Sequence, residues 1–169
     1  NYSTEYFDIV QCKSCGFIFT NPRPAVNEIG VYYTSPDYMS HNSHSNGLVQ
    51  SIYRYARHYM MRKKLELIQN SVGRQQDFSL LDFGCGTGDF LGFIKQHPIF
   101  AEGVEPDEQA REIAKNVNKV DTYSLENSVN IEKEKFDAIT LWHVLEHIHD
   151  LHKQIDYFNS WLKPGGKLF

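Results

Sequence analysis

Cysteine is scarce in this sequence, basic residues are not in excess, and no apolar run is long. Three cysteines, Cys12, Cys15 and Cys85, in 169 residues cannot staple a disulfide framework. Cys12 and Cys15 also lie too close in sequence for a bridge of structural worth, so reduced thiols are expected. No apolar segment approaches the roughly 20 residues that a bilayer-spanning helix needs, so no membrane partner is expected. The opening NYSTEYFDIV lacks the basic, apolar and small-residue series of a secretory leader, and a cytoplasmic address is the expectation. Seventeen Lys and Arg stand against 21 Asp and Glu, for a net charge of −4 and a pI near 6.1. That balance gives no global pull toward DNA or RNA and argues against a nucleic-acid partner. Apolar residues at 41% and aromatic ones at 14% are enough for an ordered fold. The length suits one compact core with a small extension.

Residues 1–47 form that extension, with short runs such as FDIV and GFIFT, an NPRP turn and the polar MSHNSHSNG. No helical period survives there. From Leu48 to about Gln69, apolar residues at 48, 52, 55, 59, 65 and 68 recur at mostly helical spacing. Arg54, Arg57, Arg62, Lys63 and Lys64 are interleaved, so an amphipathic helix is expected, with a basic face that could meet a phosphorylated acceptor but on such helices is usually solvated. Strand candidates then alternate with helices. SLLDF precedes a helix from Asp89 to Gln96, FAEGVE precedes PDEQAREIAKNVN, and KVDTYS precedes a loop. FDAITLW precedes a helical run to Leu162, and KPGGKLF comes last. The pattern predicts an α/β domain over 48–169, with a doubly wound, mostly parallel, Rossmann-like sheet. Strands that are nearly continuous apolar runs fit burial on both faces.

LLDFGCGTGDF, residues 80–90, places Gly84, Gly86 and Gly88 between a strand and a helix, where ligands of open α/β sheets bind. A dinucleotide fingerprint starting at Gly84 needs its third glycine at 89, where Asp89 stands. A phosphate loop needs a Lys-Ser or Lys-Thr pair that the chain lacks. Asp82 and Asp89 flank the turn and would repel a pyrophosphate at the helix start, whereas a cationic group would suit Asp82. Glu105, after the next strand, is placed to accept two hydrogen bonds from a ribose diol. Taken alone, the glycines are also compatible with a tight turn and nothing more.

LLDFGCGTGDF, GVEP, FDAITLWHVLEHI and LKPGGKLF, in this order and spacing, resemble the motifs of class I S-adenosylmethionine-dependent methyltransferases. Among these, the branch with ubiquinone-type O-methyltransferases and sugar methyltransferases is most similar. The resemblance implies S-adenosylmethionine as cofactor, with Asp82 near its ammonium and Glu105, followed by Pro106, at its ribose. Gly84, Cys85, Gly86 and Gly88 would form the loop beneath it. Ser124 and Leu125 would lie near adenine, and Leu141, Trp142 and His143 beside the methionine part. It also implies two further strands after Phe169, as a hairpin that shapes the acceptor pocket. The expected activity is methyl transfer to a small molecule such as a sugar or other biosynthetic intermediate. An RNA methyltransferase and a non-enzymatic scaffold are the alternatives.

Methyl transfer from a sulfonium needs alignment and exclusion of water above all, and a base only when the acceptor must lose a proton. His143 and His147, within HVLEHIHDLH, are the candidate catalytic residues, because histidine titrates near neutrality. Four apart, they are expected to share a helix face beside Glu146. Some related enzymes carry E-x-x-E-H there and bind a divalent cation, whereas this chain has His143 in place of the first Glu. Cys12-Lys-Ser-Cys15-Gly has knuckle spacing for two corners of a zinc site, with His41 and His44 as oddly spaced partners. Some methyltransferases of this kind carry a second knuckle upstream. YYTSPDYMSHNSH, residues 32–44, is read as a lid or a surface loop that could bring Tyr33, Tyr38 or His41 to the cofactor.

Overall fold

A computed structural model describes residues 6–25, Glu28 and residues 48–169. The chain divides into two units, Asn1–Gly47 and Leu48–Phe169. In the first, β1 (Asp8–Gln11) and β2 (Ile18–Asn21) pair antiparallel. Between them Cys12-Lys-Ser-Cys15-Gly turns the chain. The Cys12 N–H donates to the Phe17 carbonyl at 2.8 Å and the Gly16 N–H to the Cys12 carbonyl at 2.9 Å. Gly16 takes φ 77°, a left-handed conformation that glycine adopts at no steric cost.

The second unit opens with α1 (Leu48–Val72), a helix of 25 residues without glycine or proline. It runs past the expected end at Gln69, because the apolar signal stops before the helix does. Gly73, at φ 74°, ends it, with the Gly73 and Arg74 N–H groups both donating to the Gln69 carbonyl. Only the carboxyl-terminal half of α1 enters the core, through Leu65 and Ile68.

Five strands follow: β3 (Ser79–Phe83), β4 (Phe100–Val104), β5 (Thr122–Tyr123), β6 (Phe136–Thr140) and β7 (Leu162–Leu168). Their order is β5-β4-β3-β6-β7 and every pairing is parallel. The helices are α2 (Asp89–Ile94), α3 (Glu108–Asn116), α4 (Leu125–Ser128) and α5 (Leu151–Trp161). Asp107, Ser124 and Asp150 cap the last three by accepting backbone N–H bonds. Because β3 and β6 are buried along their whole length, their alternate side chains feed two cores. Leu80 and Ala138 pack with Leu65, Ile68 and Phe90. Leu81 and Ile139 pack with Phe83, Phe158 and Trp161. The doubly wound, parallel sheet is as expected. The strand order reverses between β3 and β6, which places the ligand crevice of such sheets at their carboxyl ends.

Two local expectations are corrected. The expected loop after β5 contains α4, nucleated by its Ser124 cap. HVLEHIHD does not continue as a helix: Leu145–His147 form a 3-10 turn and α5 starts only at Leu151. His143 has φ 60°, which interrupts any helix at that point. His143 and His147 therefore share no α-helical face.

Candidate cofactor site at the carboxyl edge

The glycine loop is tied to the neighbouring strand by the Gly84 and Cys85 N–H groups, which both donate to the Val104 carbonyl, at 2.7 and 3.1 Å. Its three left-handed glycines serve different ends. A Cβ on Gly84 would stand 2.4 Å from Val144, and one on Gly88 would stand 2.6 Å from Val120, so both permit close packing. A Cβ on Gly86 would meet nothing within 4 Å. Gly86 is thus the member of the trio that faces open space. The Cys85 thiol packs against Gly103, and burial, with the charges of Asp82 and Glu105, pushes its pKa up. The thiol stays protonated.

Asp82 lies at the end of β3 with 4% exposure and accepts a hydrogen bond of 2.6 Å from the Thr140 hydroxyl of β6. Burial pushes its pKa up to about 6. Thr140 and the Lys64 ammonium oppose that rise, and Glu105 adds to it. Lys64 reaches in from α1, its Nζ 4.4 Å from the Trp142 ring centroid and 5.6 Å from that of Phe90. Burial lowers the Lys64 pKa while Asp82 opposes the change. Asp82, with a hydroxyl as its side-chain donor, and Lys64, with its ammonium over two aromatic rings, thus influence each other's charge at this edge. A zwitterionic amino-acid moiety needs that pair.

Glu105 follows β4. Its carboxylate accepts from the Gly86 N–H at 2.8 Å and the Asp107 N–H at 2.9 Å, while Arg111 donates to the Glu105 carbonyl at 2.7 Å. With about four lone-pair directions on a carboxylate, two remain for a diol. Asp89 is not the bare acid expected beside the loop. It forms an ion pair with Arg57 and accepts from Thr87 Oγ1 at 2.7 Å, so its charge is partly offset.

A family model described as a methyltransferase domain matches residues 52–169. The chain belongs to the class I S-adenosylmethionine-dependent methyltransferases. It is 31% identical over 96 residues to a ubiquinone biosynthesis O-methyltransferase of Coxiella burnetii, covering 53% of this chain and 41% of that protein. To the enzyme of the same description from Histophilus somni it is 30% identical over 123 residues, covering 66% and 52%. The chain thus spans about half the length of the curated relatives it matches. The fold is similar to that of an S-adenosylmethionine-dependent methyltransferase from Geobacter sulfurreducens solved with S-adenosylhomocysteine. The TM-score is 0.50 at 18% identity, covering 63% of this chain and 46% of that one.

In this methyltransferase domain the residues singled out in the sequence gather at one edge. Asp82 lies just before the last residue of β3, and the glycine loop, Glu105 and Pro106, Ser124 and Leu125, and Leu141 to His143 follow the carboxyl ends of β3, β4, β5 and β6. Ser124 spends its hydroxyl on the α4 cap, accepting from Asn127. Trp142 sits edge-on to Phe90 at 6.3 Å, and its buried Nε1 has no partner among the described residues. His143 is exposed on the turn, and His147 stands 4.0 Å from Glu146, both exposed. Among the described residues no group of three or more His, Cys, Asp or Glu side chains could hold a metal.

Lys64 was hidden in the sequence among the cations of a face read as solvated. Its position directly before the buried Leu65 was the available signal. In the amino-terminal unit, Cys15 is exposed at the hairpin tip. The N–H groups of Cys15 and Ser14 and the Cys15 thiol hydrogen-bond the Cys12 sulfur and lower its pKa, which favours a thiolate. Tyr33, Tyr38, His41 and His44 lie outside the described residues.

Proposed function

We propose that the carboxyl edge binds S-adenosylmethionine and directs its methyl group to a small-molecule acceptor such as a sugar or another biosynthetic intermediate. The observation that carries this reading is the buried Asp82, electrostatically coupled to Lys64, at the same strand edge as Gly86 and Glu105. One carboxylate suits an ammonium, one ammonium suits a carboxylate, a bare backbone faces the ligand, and a second carboxylate suits a ribose. The cofactor would be held by Asp82, Lys64, Gly86 and Glu105 and would supply an electrophilic methyl on a sulfonium, with a neutral thioether as leaving group. The protein's part is alignment and exclusion of water by Trp142, Phe90 and the loop. His143, exposed beside this edge, takes the proton of an acceptor that must lose one, with His147 as the second candidate. Similarity to ubiquinone biosynthesis O-methyltransferases favours oxygen as the acceptor atom.

Calorimetric titration with S-adenosylhomocysteine tests the reading, with Asp82→Asn and Glu105→Gln as variants. Binding by the native protein that weakens at least about tenfold in each variant, as loss of a charged hydrogen bond requires, supports it; no binding by the native protein ends it. For the hairpin, Cys12 and Cys15 are proposed as two thiolate corners of a zinc site, checked by elemental analysis before and after Cys12→Ser.

A further inference from the structure

The residues assigned so far hold a cofactor or take a proton, and none of them selects the acceptor. We propose that the amino-terminal half of α1 is the acceptor wall. Its Tyr53–Arg57–Met60 face would select a molecule with a flat apolar body bearing an oxyanion, either a carboxylate or a phosphate monoester. The inference rests on the methyl-transfer reading of this edge and adds the substrate class.

The path of the chain places the wall. α1 ends at Val72 and turns into the start of β3, so its carboxyl end lies at the amino ends of the strands and its earlier turns lie toward their carboxyl ends. Lys64 meets Trp142, and Arg57 meets Asp89 at the start of α2. At about 1.5 Å per residue, the turns from Leu48 to Arg57 rise roughly 14 Å beyond that contact. They overhang the edge where a methyl group would be presented.

One face of the helix continues from Lys64 into that space. Positions 53, 57, 60 and 64 recur at helical spacing, and the contacts of Arg57 and Lys64 turn this face toward the cofactor crevice. Leu65 and Ile68 occupy the adjacent core face. Tyr53 and Met60 keep 52% and 55% of their surface exposed, so their apolar area is available to a ligand. The charge is equally one-sided. Residues 48–65 hold Arg54, Arg57, Arg62, Lys63 and Lys64 and no Asp or Glu, in a chain of net charge −4. Asp89 engages only part of the Arg57 guanidinium, whose five donors in a planar fork suit a carboxylate or phosphate.

The full protein saturated with S-adenosylhomocysteine, titrated at low salt with 2-naphthoate, 2-naphthyl phosphate and 2-naphthol, tests the proposal. At least one anion is expected to bind about tenfold tighter than the neutral ring, the scale of one charge-assisted hydrogen bond; which anion does so identifies the group. Arg57→Gln should erase that preference and Arg57→Lys should keep part of it. Arg62→Gln, the same charge change about 140° around the helix, should leave it intact. Tyr53→Ala and Met60→Ala should weaken all three probes alike. Equal affinity for the anions and 2-naphthol, no probe binding, or equal effects of Arg57→Gln and Arg62→Gln would overturn the proposal, as would native-like binding by Tyr53→Ala. Failure of the protein to bind S-adenosylhomocysteine at all would instead remove the methyl-transfer reading beneath it.

Discussion

Asp82 and Asp137 stand on neighbouring strands, at opposite ends of the same sheet, and are nearly equally buried, with 4% and 7% exposure. Their surroundings differ. Asp82, at the carboxyl end of β3, receives one hydroxyl from Thr140; burial wins and its pKa rises to about 6. Asp137, at the amino end of β6, feels burial too, but Lys163 at 2.9 Å, the Ser79 N–H at 2.8 Å, the Ser79 hydroxyl at 2.9 Å and Arg74 outweigh it. Its pKa is held well below the usual carboxylate range. Asp137 has every donor it can use and fastens Arg74, β3 and the segment after α5 together. Asp82 lacks donors, and a ligand can provide them. An acid left short of partners at the strand ends where ligands bind marks a site, and an acid saturated at the other end marks structure.

That contrast can be broken experimentally. Asp137→Ala should have the largest effect, a loss of about 3 kcal/mol of stability in urea unfolding, because two cations and a buried N–H lose their acceptor. Cofactor affinity of the folded fraction should be unchanged. The lowered pKa means that this stabilisation is present above the unfolded carboxylate value and is lost progressively as pH falls from there to the lower folded-state value. Asp82→Asn should reverse the pattern, weakening S-adenosylhomocysteine about 100-fold while stabilising the unliganded protein by about 2 kcal/mol at pH 7. The raised Asp82 pKa sets the sign: the gain is absent at about pH 3, below the unfolded value, grows as the pH rises toward 6 and levels off above it. Unchanged or lower stability in Asp82→Asn would mean that Asp82 is as well satisfied as Asp137.

Ligand affinity of the native protein should fall about tenfold between pH 7 and pH 5 as Asp82 protonates, and calorimetry across that range should show no such fall in Asp82→Asn. Smallest, Lys64→Met should weaken S-adenosylhomocysteine about fivefold, the value of one partly exposed charged contact. Thermal stability should hardly move, since the methionine keeps the stem that packs near Trp142.

The glycine loop, the strands and Glu105 were legible in the sequence because each is a local pattern. Apolar runs mark strands buried on two faces, and glycines mark a turn that leaves no room for Cβ. The division of labour among the glycines was not legible, since Val144 lies 60 residues from Gly84. Nor was the break at His143, where a left-handed residue and the Asp150 cap start α5 later than the run of helix formers suggests. Asp137 drew no notice within FDAITLW, because its partners, Ser79 and Lys163, lie 58 and 26 residues away. Arg57 and Lys64 were read as solvated because a helical pattern shows which side is apolar, but not which charges at its border meet an acid across a crevice.

The sequence alone determined the order of elements, the parallel sheet and the placement of a glycine turn between an aspartate and a helix, since these follow from short-range periodicity and backbone sterics. Only the tertiary structure decided which carboxylates are short of partners and which cations approach them. The ionisation and the ligand of a buried charge depend on donors that arrive from distant strands.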